Sequence, residues 1–461
     1  MTILWAISDS SLSLEIHQEP RAEDVTSHRG GGPDVVRGLP QGSRRRGSPA
    51  AGLRPLADAE SPRARSPVGM PTAEPTIAET RRHRVVVVGG GITALEFVLA
   101  LHHLAGDTVE LCLIAPDVHF TVRAMSVARP FARGSSGELP LDRFMAEQGG
   151  RLRQAAVVRV DAGQREVRCD DGAREPYDQL VLAPGARPRS PYTHALTFGL
   201  SQDRDALENV LAELDEGYSS SVAFVVPGGT TWPLPAYELA LMTAERLRRR
   251  GRDTVRVHLV TPERAPLEAF GAKVSSGVGE LLDAAGVLVH LGVEATIEHP
   301  GVIEVGGDAQ LHVDHVVALP SLAGPSLRGI PRDADGFIPV DAHGRLAGHP
   351  GVHAIGDATS GAIKQGGVGS QQADFVAADI AAGLGVAGWP VVKRPLLRGR
   401  LLTGRGDRFL QTGESVGDSD APDRPPWWPA AKIVARHLGP YLERSGLVTL
   451  PVDGDSALPR P

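Results

Sequence analysis

The run Val85-Val86-Val87-Val88-Gly89-Gly90-Gly91-Ile92-Thr93-Ala94 constrains this chain more than any other stretch. Four β-branched residues in succession suit a strand buried on both faces of a parallel sheet. The glycines after it let the backbone turn sharply and approach a pyrophosphate at the start of a helix, where free N–H groups and the dipole favour an anion. Ala94 stands where a small side chain lets helix and strand pack closely, which completes a G-x-G-x-x-A pattern. A glycine-rich bend after a strand also occurs without a ligand. This turn takes its weight from two later segments.

The first is Val352-His353-Ala354-Ile355-Gly356-Asp357-Ala358, a short strand ending in Gly-Asp. The second lies between them: Tyr177-Asp178-Gln179-Leu180-Val181-Leu182 closed by Ala183-Pro184-Gly185. This ordered set resembles the two-dinucleotide-binding-domain flavoproteins of the pyridine nucleotide-disulfide oxidoreductase superfamily. Within these it is similar to the branch of type II NADH dehydrogenases and sulfide:quinone oxidoreductases. The resemblance runs from about Arg84 to Leu442. It implies an α/β fold of two Rossmann-like, FAD- and NAD(P)-binding domains with a small C-terminal region. It also implies non-covalent FAD along Gly89–Ala94, Ala115, Val157, Ala183–Gly185, Gly356 and Asp357, with NAD(P)H as the second nucleotide.

Composition agrees with such a fold. A chain of 461 residues exceeds one hydrophobic core, so several domains are expected. The formal net charge of −7 argues against a nucleic-acid partner, whose phosphates need a clustered basic surface. Two cysteines exclude a disulfide framework and suit a reducing cytoplasm. No apolar run reaches the roughly 18 residues that span a bilayer, so the expectation is a cytoplasmic protein with peripheral membrane contact at most.

Residues 1–80, which include Arg44-Arg45-Arg46-Gly47-Ser48-Pro49, show little apolar periodicity and read as a disordered extension; Met70 is an alternative start. Residues 81–200 then read as the first part of the FAD-binding domain and 201–330 as a second Rossmann-like unit. Residues 331–388 complete the FAD-binding domain, and 389–461 form a C-terminal region with Trp427-Trp428-Pro429 and a helix running to Tyr441. That helix would group Val434, Leu438, Tyr441 and Leu442 on an apolar face and Lys432, Arg436 and His437 on a polar one. Packing over the FAD-binding domain and contact with a membrane are its two readings, and packing is the expected one.

Particular side chains carry the chemistry. The resemblance places the ribose-binding acid near Ala115, and Asp117 either reaches it or starts a turn beside Pro116. Arg123 could fork onto a diphosphate or stay in water. Asp357 could accept from ribityl hydroxyls or cap a helix. By resemblance Lys364, Gln365, Gly366 and Gly367 run along the flavin ring and bring donors to its N1/C2=O edge. The second turn holds Gly228, Gly229 and Glu238, with Glu263 placed to meet a ribose, but Trp232 and three prolines crowd it. Cys112 and Cys169 sit in separate strands, unlike a redox dithiol. No metal cluster stands out.

These features point to an FAD-dependent oxidoreductase. Electrons would pass from NAD(P)H through flavin to a quinone-like or small acceptor without a dithiol. The alternatives are a sulfide:quinone oxidoreductase-like enzyme with a non-nicotinamide donor, and a non-catalytic, redox-responsive FAD-binding module.

Overall fold

The computed structural model describes residues 82–131, 135–200, 205–361, 363–391, 394–412, 427 and 432–449. The expectations for residues 1–80, Met70, Trp428 and Pro429 lie outside the described residues. In chain order, β1 (His83–Val88), α1 (Ile92–Ala105), β2 (Val109–Ala115), β3 (Arg151–Gln154) and β4 (Gln179–Leu182) begin one sheet. A second sheet and its helix follow as β5 (Leu196–Thr197), β6 (Ser221–Val225), α2 (Leu234–Arg249), β7 (Arg256–Val260), β8 (Leu288–His290) and β9 (His315–Ala318). The chain then returns to the first sheet with β10 (Val352–Ala354) and α3 (Gly366–Gly383). It closes with the hairpin β11 (Arg398–Leu401) and β12 (Arg408–Gln411) and the short helix α4 (Leu438–Arg444).

The sheet orders are β10-β4-β1-β2-β3 and β5-β9-β6-β7-β8, and every neighbouring pair is parallel. β1 is central because it can be buried on both faces: Val85 to Val88 are at most 4% exposed. Val85 and Val87 join the core under α1 and α3, while Val86 and Val88 join the core on the opposite face. Glycine sets the distance between α1 and the return segment. A Cβ at Gly356 would lie 2.7 Å from Thr93 Oγ1, and one at Gly369 would lie 2.4 Å from the same atom. Two motifs more than 260 residues apart therefore meet on one threonine.

The C-terminal segment differs from its sequence pattern. The helix begins at Leu438, and Lys432 to His437 are not helical. Glu96, fully buried on α1, accepts hydrogen bonds from the backbone N–H groups of His437 (2.8 Å) and Leu438 (2.6 Å). A carboxylate from another element thus does the work of an N-cap and fixes where α4 starts. Pro440 falls in its first turn, where a missing N–H costs nothing. Lys432, expected on a polar face, is instead 8% exposed and ion-paired with the fully buried Glu238 of α2. It also donates to Arg400 O at 2.8 Å, and Glu238 accepts from Leu402 N–H at 2.9 Å. Trp427 is buried edge-on against Phe409. Packing wins at Lys432 and Trp427, which are not available to a headgroup layer.

Asp374 of α3 lies against Glu96, with His437 beside it; one ligating atom of each falls within 4.8 Å of the others. Burial beside a second carboxylate pushes the Asp374 carboxyl up to about 8, and burial raises Glu96 as well, so the pair holds a proton at neutral pH. Among the described residues, no helix is long and apolar enough to cross a membrane.

Two outcomes test the anchoring of this segment. Lys432→Met or Glu238→Leu alone strands a buried charge and should cost about 3–5 kcal/mol in denaturant unfolding, whereas the double replacement should cost clearly less than either. The raised Asp374 carboxyl binds its proton more tightly folded than unfolded, where it titrates near the ordinary value of about 3.9. Its contribution is therefore complete below that value and is lost as pH rises toward about 8. Asp374→Asn should flatten the stability-against-pH curve across this window, measured by thermal melts.

Candidate cofactor site

The first turn separates glycines the protein needs from one it does not. Gly89 has φ +112°, and a Cβ there would sit 2.2 Å from Ala183 O. Its N–H donates to Ile114 O at 2.8 Å, which ends β1 against β2. A Cβ at Gly90 would press on Leu141 Cδ1 at 2.9 Å and Ala115 Cβ at 3.1 Å. Gly91 is different. It is the N-cap residue of α1 with φ −90°, it is exposed, and a Cβ on it would meet nothing within 4 Å. No side chain caps α1, and its first turn carries no acidic residue. An open, uncapped helix N-terminus with a glycine that packing does not require fits a pyrophosphate approaching the backbone.

The other motifs converge here. Ala183 touches Gly89, and Gly185 follows with φ +75° and open space beside it. Gly356, with φ +71°, abuts Thr93, and its N–H donates to Gln372 Oε1 at 2.7 Å. Gln372 is a positioning residue that local sequence pattern could not distinguish from an ordinary helix polar residue. Asp357 is half-buried beyond Gly356, and burial raises its carboxyl against the opposing pull of Lys364. Ala115 is fully buried under the turn, while Asp117 and Arg123 are exposed and Val157 is a half-buried strand residue paired with Cys169. No hydrogen bond or ion pair among the described residues joins Asp117, Arg123 or Val157 to the turn.

Two side chains expected at the flavin edge have other partners. Gln365 is the N-cap residue of α3: its Oε1 accepts from Val368 N–H at 2.7 Å and its Nε2 donates to Arg398 O at 3.1 Å. Lys364 is buried, donates to Thr359 O, and lies 3.8 Å from the centroid of the Phe337 ring. These contacts hold the loop together. The N–H groups of Gly366 and Gly367 take no protein acceptor among the described residues, so the open donors there are backbone groups. Ile433 and Val434 of the C-terminal segment border these two glycines.

The second turn is less crowded than its sequence suggests. Trp232 packs against Phe270, with ring centroids 5.8 Å apart, and against Gly399. α2 starts only at Leu234, so the prolines shape the entry to the helix. Gly229 has φ +73° with no atom near a would-be Cβ, and Gly228 has only the Glu294 carboxylate at 3.7 Å. Glu238 is fully buried and ion-paired with Lys432. Glu263 follows β7 and is held by Tyr237 Oη at 2.7 Å, Thr261 Oγ1 at 3.0 Å and Glu268 N–H at 3.2 Å. Lys364 N–H donates to Thr231 Oγ1 at 3.2 Å, which joins the flavin-side segment to this turn.

Neither cysteine can carry electrons. Cys112 and Cys169 are free, each 3% exposed, and burial pushes the Cys112 thiol up to about 12 and raises that of Cys169. Gly91→Val should therefore fold with a near-normal melting temperature yet purify without flavin absorbance. Gly89→Val should instead fail to accumulate as folded protein, because its side chain has no space.

The comparisons with known proteins agree with this geometry. Across 365 residues the chain is 27% identical to the type II NADH:quinone oxidoreductase Ndh of Mycobacterium tuberculosis, covering 70% of this chain and 78% of that protein. Its fold is similar to that of the sulfide:quinone oxidoreductase of Aquifex aeolicus, with TM-score 0.65 and 18% identity over 79% of this chain and 89% of that one. It is also similar to a ferredoxin reductase of Rhodopseudomonas palustris, with TM-score 0.54 and 18% identity over 71% and 82% of the two chains. Residues 128–373, more than half of the chain, match the family model described as pyridine nucleotide-disulphide oxidoreductase. The span holds the second turn, Gly356-Asp357 and the start of α3, and the chain belongs to the pyridine nucleotide-disulphide oxidoreductase family.

Proposed function

We propose that this FAD-dependent oxidoreductase takes electrons from NAD(P)H and passes them to a quinone-like or small-molecule acceptor without a thiol relay. The observation that carries this reading is the state of the cysteines. The chain has only two, both buried in strands with raised thiol pKa values, so a dithiol or persulfide route has no nucleophile. FAD, when bound, supplies the two-electron chemistry. The chain's own part is binding and orientation. Gly91 and the bare N-terminus of α1 receive the pyrophosphate, Asp357 stands beside the Gly356 turn, and the Gly366 and Gly367 N–H groups supply donors for developing negative charge.

The nicotinamide nucleotide belongs at the second turn. Gly229 leaves space for a backbone approach because Trp232 is packed inward, and Glu263 stands after β7 where a ribose-binding acid is placed in this fold. The mycobacterial relative's name states an NADH donor and a quinone acceptor, which suits the same reading. We place the protein in the cytoplasm, with any membrane contact peripheral, and its partners are small molecules.

Anaerobic mixing of the yellow protein with NADH, NADPH and sulfide in turn decides the donor. A nicotinamide nucleotide should bleach the flavin within the mixing experiment, and sulfide should not. Glu263→Ala should raise the nucleotide concentration needed for half-maximal bleaching several-fold, with flavin content unchanged. Bleaching by sulfide alone would favour a non-nicotinamide donor. Intact flavin that no donor bleaches would favour a binding module without turnover.

A further inference from the structure

Glu263 is held more firmly than a loop carboxylate needs to be. It follows β7 and is half-buried. Its Oε2 accepts from Tyr237 Oη at 2.7 Å and from Thr261 Oγ1 at 3.0 Å, and its Oε1 accepts from Glu268 N–H at 3.2 Å. Its backbone is pinned as well: the carbonyl accepts from Gly292 N–H at 2.8 Å, and the N–H donates to Thr261 Oγ1 at 3.3 Å. An ionised carboxylate offers about four acceptor sites. Three are used among the described residues, and the one left over is on Oε1.

Tyr237 is the hub of this arrangement. It is fully buried in the first turn of α2, the helix that follows Gly228 and Gly229. Besides donating to Glu263, its hydroxyl accepts from Leu267 N–H at 3.3 Å. Leu267 is buried at φ +49°, a left-handed conformation that a leucine keeps only when its surroundings impose it. The loop therefore carries backbone strain at the residue whose N–H meets the tyrosine. Burial, with the Glu263 charge beside it, pushes the phenol far above its usual range, so it stays an O–H donor. Burial also raises the Glu263 carboxyl. Hydrogen bonds from Tyr237, Thr261 and Glu268 N–H pull it back toward the charged form, against the charge of the Glu268 side chain.

We propose that Tyr237 is a positioning residue for the nicotinamide nucleotide: it holds the Glu263 carboxylate against the start of α2, so that the remaining acceptor on Oε1 receives the 2′-hydroxyl of the adenosine ribose. The proposal rests on the reading that the nucleotide binds at the second turn. Tyr237, being fully buried, acts through Glu263 alone.

The test crosses protein variants with two electron donors. FAD-loaded full-length wild type, Tyr237→Phe and Glu263→Ala are reduced anaerobically by NADH and by its analogue lacking the adenosine 2′-hydroxyl, and the concentration giving half-maximal bleaching rate is read. Tyr237→Phe should raise this concentration about threefold for NADH, leave the limiting rate alone, and hardly change the value for the deoxy analogue. A tyrosine that merely supports the fold would weaken both donors alike. As pH falls and Glu263 takes up a proton, the NADH value should rise. That rise should begin at higher pH in Tyr237→Phe, because a donor to the charged form is gone. Thr261→Val removes the other donor to Oε2 and should give the same NADH-selective loss, even where Tyr237→Phe fails to fold. Equal losses with both donors would overturn the proposal, and so would no loss in either variant while Glu263→Ala weakens NADH; both results leave the second-turn reading standing. NADH affinity untouched by Glu263→Ala would overturn that reading and the proposal together.

Discussion

The contact on which the rest depends is the approach of Gly356 and Gly369 to Thr93. It sets the distance between α1 and α3, and with it the distance between the Gly89–Gly91 turn and the loop ahead of Gly366. Any side chain at Gly356 would have to displace a threonine packed between two helices. Neither neighbouring helix has room to yield, because α1 and α3 share a core of alanines and large apolar residues. The spacing of these two segments is therefore fixed by packing.

Much of this arrangement is legible in the chain itself. Val85–Val88 reads as a doubly buried strand, and it is one. The strand ending at Ala183 and the strand before Gly356 join the same sheet, as their apolar composition requires. The helix Pro235–Arg249 is found one residue longer at its start. Each of these is a local signal: β-branched runs, glycine turns and helical periodicity act over a few residues.

Other contacts are not legible in the chain. Lys432 looks like a residue for water yet pairs with the buried Glu238 of α2, and Gln365 caps α3 and bonds Arg398 O. Each takes its role from a partner far away in sequence or from a cap, and no periodicity records such partners. The same holds for Glu96, an acid among apolar neighbours whose purpose appears only when residues 437 and 438 arrive. Trp232 errs in the other direction. Its bulk suggests an obstructed turn, yet Phe270 and Gly399 give it a place inside the second core.

The segment from Lys432 to Leu438 satisfies a carboxylate on each Rossmann helix, Glu238 on α2 and Glu96 on α1, within six positions of chain. This has a consequence for biogenesis. The segment leaves the ribosome after both sheets have been made, so for most of synthesis these two carboxylates must stay hydrated at surfaces that end up dry. Neither helix can settle into its final burial until this segment emerges. Arrival of this segment is thus the event that gives both carboxylates their partners, and a chain stalled before Lys432 would present two acidic, water-filled seams to chaperones and proteases.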